Sequence, residues 1–137
     1  MKLSIRRVNY YHTIVENKHG KGYWLLEHFR QKGVSLEAFV AFPLGGGKSQ
    51  LDFVVDDVEI LRQAALEAGV KLTGPKRAFM SQGDDEVGAI VELHQKLTAA
   101  EINIHAGSGL SGGAGSFCYL FWVNSENYED AAAALGV

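Results

Sequence analysis

Displaced by 68 residues, so that Gly20 falls on Gly88, the chain lies over itself. GVSL at 33–36 then meets EINI at 101–104, and LGGGKSQLDFVV at 44–55 meets GGAGSFCYLFWV at 112–123. Few residues are identical. What recurs is the order of apolar, glycine and turn positions. An internal repeat constrains the fold more than any short motif, because each copy must form a unit that extends or shares a core with its neighbour. At 137 residues the chain holds one ordinary domain, or two very small ones sharing a core.

The first copy reads as six elements. Residues 8–15 are rich in Val, Tyr and Ile, which suits a strand. Gly22, Leu25, Leu26 and Phe29 recur at helical spacing after a turn at 17–21, and Gly33 ends the helix. Strands follow at 36–43 and 51–55, joined by the flexible Gly45-Gly46-Gly47. Asp56 or Asp57 caps a second helix that runs to Ala68 and stops at Gly69. Residues 70–73 are a fourth strand. The order is βαββαβ, with a mostly antiparallel sheet. The second copy predicts strands at 76–82, 102–106 and 117–123. Its first helix carries Ile90, Leu93, His94 and Leu97, and a short second helix covers 127–135. The fold class is therefore α+β, ferredoxin-like, as two repeats over 1–73 and 74–137 with helices on one face of each sheet.

The second copy lacks a fourth strand. Lys2-Leu3-Ser4 matches Lys71-Leu72-Thr73, and Gly136-Val137 matches Gly69-Val70. Residues 1–7 supply the missing strand to the second repeat, along 76–82, or a partner chain supplies it; the plainer reading is that the match of three residues is chance or that the chain is cut short.

Gly88 raises a separate question. In DDEVGAIVELHQKL it falls inside the first turn of the expected helix, where glycine is less favourable than alanine by roughly 1 kcal/mol. A helix amino terminus carries free N–H groups and partial positive charge, which suit a carboxylate, and a residue without Cβ lets a ligand approach the backbone. The plainer explanation is that Asp84 or Asp85 is a cap and Gly88 allows close contact of helix with sheet.

Turn, glycine, amphipathic helix, INI and glycine-rich hairpin together resemble the ACT domain, a small regulatory βαββαβ module that commonly binds amino acids. The resemblance covers nearly the whole chain and is clearer in the second copy; the first has Gly20 and GVSL without the asparagine. It implies a non-catalytic regulatory module with no cofactor and an amino-acid ligand at an interface between repeats. Carried over, the ligand-binding positions are Asp84, Asp85, Val87, Gly88, Asn103, Ile104 and His105, with Asn17, Lys18 and Gly20 in the first copy. Asp84 or Asp85 would accept from an ammonium group, and the Asn103 amide would bond the ligand's carboxylate or amine.

Other functions are weaker. Net charge is −3 without a block of like charge, which disfavours nucleic acid. No apolar run reaches membrane-spanning length, and Asn9 to His12 interrupt any signal-peptide core, so a cytoplasmic protein is expected. GSGLSGGAGS at 107–116 lacks the lysine and helix of a phosphate loop and reads as a mobile hairpin tip. The five histidines show no metal-ligand spacing, no nucleophile elbow is present, and Cys118 in FCYLFWV reads as buried. An acylphosphatase-like enzyme on the same scaffold would need a cationic cradle; NKHGK offers two lysines and DDEVG is acidic. FCYLFWV is apolar on both faces, so Tyr119, Leu120, Phe121 and Trp122 should be covered on both sides. The two repeats or a second copy would cover them, in a homodimer or higher homo-oligomer built through sheet faces or edges. A pure assembly module without ligand is the remaining alternative.

Overall fold

The structure, a computed structural model, describes residues 3–137. Lys2, which the sequence places in the strand supplied to the second repeat, lies outside the described residues. The elements run β1 (Ser4–Glu16), α1 (Lys21–Gln31), β2 (Leu36–Gly45), β3 (Lys48–Val55), α2 (Val58–Ala68), β4 (Thr73–Asp84), α3 (Val91–Ala99), β5 (Ala106–Gly113), β6 (Ser116–Trp122) and α4 (Tyr128–Leu135). The fold is α+β, ferredoxin-like, with antiparallel pairing throughout the registered ladders. The chain divides into two compact units: Asn9–Lys76, and Arg77–Val137 together with the part of β1 that ends at Val8.

In the first unit β3 pairs with both β1 and β2. Alternation sends Tyr11, Leu51, Phe53 and Val55 to one face, where they meet Leu25 and Phe29 of α1 and Leu61 and Ala64 of α2. Leu25 and Phe29 are four apart, so they lie on one stripe of α1. The Asp57 carboxylate accepts from the Ile60 N–H at 3.2 Å, and Gly69 ends α2 with φ 70°.

The second unit repeats this. β6 pairs with β4 and β5, and β1 runs beside β4. Ser4 Oγ donates to the Gln82 carbonyl at 3.1 Å, and Ile5 packs on the core of Phe79, Leu93, Leu97, Tyr119, Phe121 and Tyr128. Tyr11 opposite Phe53 in one unit corresponds to Phe79 opposite Phe121 in the other, each pair 68 residues along. The helix ends correspond as well. Val34 N–H donates to Phe29 O and Ile102 N–H to Leu97 O, both at 2.9 Å.

Several expectations are corrected. Of the strand expected at 70–73 only Thr73 is strand: residues 70–72 are irregular, and β4 runs from Thr73 through Gly74-Pro75 across the strand expected at 76–82. Glycine lets it continue: a Cβ at Gly74 would sit 2.7 Å from the Tyr11 ring and 2.9 Å from the Tyr10 carbonyl. Residues 102–105 are irregular and the strand begins only at Ala106. The expected hairpin tip at 107–116 is mostly β5, with Gly107 against the Tyr119 ring and Gly109 against the Phe117 and Tyr119 rings of β6. Cys118 is exposed, because it faces away from the side that carries Tyr119 and Phe121. Tyr119, Leu120 and Phe121 are buried, and Trp122 is half-buried.

Candidate functional site

The helix-start turns are built alike in the two units. Gly20 and Gly88 both adopt left-handed backbone, φ 89° and 74°. Gly88 thus precedes α3 rather than lying within it, and the helix-interior penalty does not arise; the position requires positive φ instead. Asn17 N–H donates to Gly47 O at 2.8 Å, and Asp85 N–H to Gly115 O at 2.9 Å. Lys21 N–H donates to Lys18 O at 3.2 Å, and Ala89 N–H to Glu86 O at 3.1 Å. Each turn is therefore tied to the glycine-rich hairpin tip of its own unit, and glycine at the tip exposes the carbonyl that accepts.

Beside Gly88 lies a cavity of about 90 Å³. Leu3 and Ile5 line it from the β1 end, Gly88 and Ala89 from the turn, and Glu86, Glu92, Leu93 and Lys96 complete it. Lys96 Nζ stands 3.6 Å from a Glu92 carboxylate oxygen. Its lining combines the apolar Leu3, Ile5 and Leu93 with the charged Glu86, Glu92 and Lys96, and at Gly88 the backbone carries no Cβ.

The other expected residues are placed as follows. Asp84 ends β4, opposite Ser116. Asp85 accepts from Ser111 Oγ at 2.8 Å, and neither aspartate caps α3, whose N-cap is Ile90. Val87 is fully exposed at the tip of the turn. Asn103 is exposed, Ile104 packs on the core, and the His105 N–H donates to Trp122 O at 2.8 Å. Gly88 alone among the expected residues lines the cavity. In the first unit Lys18 pairs with Glu16 at 3.0 Å, and that hydrogen bond and charge hold the Glu16 carboxyl below its usual value. His94, read as a core or edge residue, bonds Tyr119 Oη through Nε2 at 3.0 Å with its ring stacked on the tyrosine. Sequence reasoning passed over Glu92 and Lys96 as binding groups; their helical spacing, four apart and next to Leu93, was the available signal. No group of three or more possible metal-ligating side chains occurs among the described residues.

No protein-family model and no curated protein sequence matches the chain. Solved structures do. Protein BT0572 from Bacteroides thetaiotaomicron has 13% identity over 98% of this chain and 88% of its own, with a TM-score of 0.81. The ligand-free regulatory subunit of aspartate kinase from Thermus thermophilus has 13% identity over 99% and 95%, with a TM-score of 0.61. E. coli aspartokinase III in complex with lysine and aspartate has 14% identity over 94% of this chain and 30% of that one, with a TM-score of 0.57. At such identities the likeness is one of fold, and the fold is the tandem ACT fold. No helix among the described residues is long and apolar enough to cross a membrane.

Proposed function

We propose that the chain is a non-catalytic regulatory module that binds a small ligand, an amino acid, at the turn before α3. The observation that carries this reading is the cavity beside Gly88, where a left-handed glycine, a helix start and charged side chains converge. Support comes from the fold shared with regulatory subunits of aspartate kinase, and from one similar structure that holds lysine and aspartate. The Asp84, Asp85 and Val87 turn, with Asn103, Ile104 and His105, forms the wider expected site; Asn17, Lys18 and Gly20 are its counterpart in the first unit. Assembly of copies in a cytoplasmic homo-oligomer belongs to the same reading.

A thermal-shift screen of the twenty amino acids tests it. A binder at about 100 times its Kd raises stability by about 2.7 kcal/mol. Gly88→Asn is the informative variant, because asparagine tolerates positive φ while it adds a side chain to backbone that lines the cavity bare. Binding by the wild type and its loss in Gly88→Asn is the expected result. A screen without a stabilising amino acid, or one whose hit binds the variant unchanged, overturns the reading.

A further inference from the structure

Within the unit Asn9–Lys76, the sheet face turned away from α1 and α2 carries a buried polar pair. His12 of β1 stands directly opposite Asp52 of β3. Their exposures are 8% and 4%. Gln50 Nε2 donates to Asp52 Oδ1 at 2.8 Å, whereas His12 Nδ1 is buried without a hydrogen-bond partner. On the other side of Asp52, β2 presents only Val40. Tyr10 of β1 and Lys76 of β4 are the remaining ionisable groups whose interactions reach the pair. An unpartnered buried polar atom is unfavourable by about 1–3 kcal/mol.

The other unit shows that the fold does not need this. Sixty-eight residues on, the same register positions hold Met80 opposite Leu120, and Gln50 is replaced by Cys118. An apolar pair satisfies the ladder there. A polar pair in one repeat, at a position its twin fills with methionine and leucine, is not explained by cohesion.

We propose that His12 and Asp52 form a proton-responsive switch in the first repeat, through which acidification loosens the β1–β3 ladder while the second repeat is unaffected.

The sign follows from the surroundings. Burial, then the Lys76 charge, lowers the His12 pKa, and Asp52 only partly offsets them. The unfolded chain therefore takes up a proton first as pH falls through the ordinary histidine range near 6.5, and stability drops. Burial raises the Asp52 carboxyl, with Gln50, His12 and Lys76 opposing. That penalty is complete at neutral pH and is relieved only in more acid solution, so the window between about pH 7.5 and 5.5 reports on His12.

Hydrogen exchange of the whole chain, corrected for intrinsic rates, reads the switch. Protection of the Thr13 and Phe53 amides should fall between pH 7.5 and 5.5, while that of Ser81 and Phe121 holds. The double variant His12→Met, Asp52→Leu imports the pair of the second repeat and should be folded and lack the response. Asp52→Asn should move the His12 imidazole titration, followed by NMR, further down. The proposal is overturned by an equal response in the double variant or at Ser81 and Phe121, by a double variant that fails to fold, or by a His12 midpoint unmoved in Asp52→Asn.

Discussion

Tyr128 lies flat on Phe79, with ring centroids 4.4 Å apart and 8° between the planes, and its hydroxyl donates to the Ala78 carbonyl at 2.8 Å. One side chain thus fixes α4 to β4 by area and by a buried hydrogen bond. Arg77 stands 4.2 Å over the same ring, closing the outer side. Tyr128→Phe should lower stability by about 1–3 kcal/mol, because the Ala78 carbonyl loses its donor. Tyr128→Ala should lower it by about 3–5 kcal/mol through the cavity left behind. Urea unfolding of both variants, monitored at the Phe121 amide, separates the two contributions.

Gly107 sits under the ring of Tyr119. A Cβ at that position would lie 2.7 Å from the tyrosine oxygen and 2.9 Å from Cε1. Gly107→Ala should therefore push the ring aside, break the His94–Tyr119 bond and destabilise the second unit by about 1–3 kcal/mol. The His94 ring resonances should shift in the variant; unchanged His94 resonances would show that the glycine is not needed there.

Gly20 and Gly88 have the same left-handed backbone and different surroundings. A Cβ at Gly20 meets nothing within 4 Å, and one at Gly88 makes an ordinary 3.4 Å contact with Val91. Backbone strain alone should set the effect of alanine, about 1–2 kcal/mol at each position. Denaturant midpoints of Gly20→Ala and Gly88→Ala should fall alike; a much larger loss at Gly88 would reveal contacts beyond Val91.

Glu27 accepts from Arg30 and Gln31 on the exposed side of α1, and these bonds bring its carboxyl down to about 2. A folded-state pKa below the unfolded one stabilises above the unfolded value and is lost as pH falls toward 2. NMR titration should place the Glu27 midpoint near the bottom of the carboxylate range. Arg30→Ala should return it toward the ordinary value.

The repeat was legible because spacing is preserved where identity is not. Leu25 and Phe29 against Leu93 and Leu97, and Tyr11–Phe53 against Phe79–Phe121, keep the same offsets. Asp57 and Gly69 marked the ends of α2 for chemical reasons that act locally. Local signals failed where a neighbour decides. GSGLSGG has a loop's composition, yet it is a strand because the rings of Phe117 and Tyr119 need the space its glycines leave. Gly74-Pro75 reads as a break, yet the strand passes through it beside Tyr11. The turn at Gly88 was visible as an anomaly, but its left-handed backbone and the cavity walls from Leu3, Ile5 and Lys96 depend on residues far apart in sequence. The His12–Asp52 pair was invisible because neither residue departs from an ordinary strand pattern until β1 and β3 are set in register.

We infer that the repeats exchange strands, with the start of β1 serving the second unit and the rest of it the first. β1 runs beside β4, Ser4 Oγ donates to Gln82 O, and Ile5 packs on the second unit's core. An uncovered strand edge there would leave backbone groups of β4 without partners, which is unfavourable when they are buried. Phe79 is fully buried, so its neighbours in β4 have little access to water as a substitute. Removing the chain through Arg6 should therefore destabilise the second unit far more than the first. In hydrogen exchange, the Phe79 and Met80 amides should lose protection while Leu51 and Phe53 retain theirs. Full protection of Phe79 and Met80 after the truncation would mean that β4 does not depend on the start of β1, and the exchange of strands would have to be abandoned.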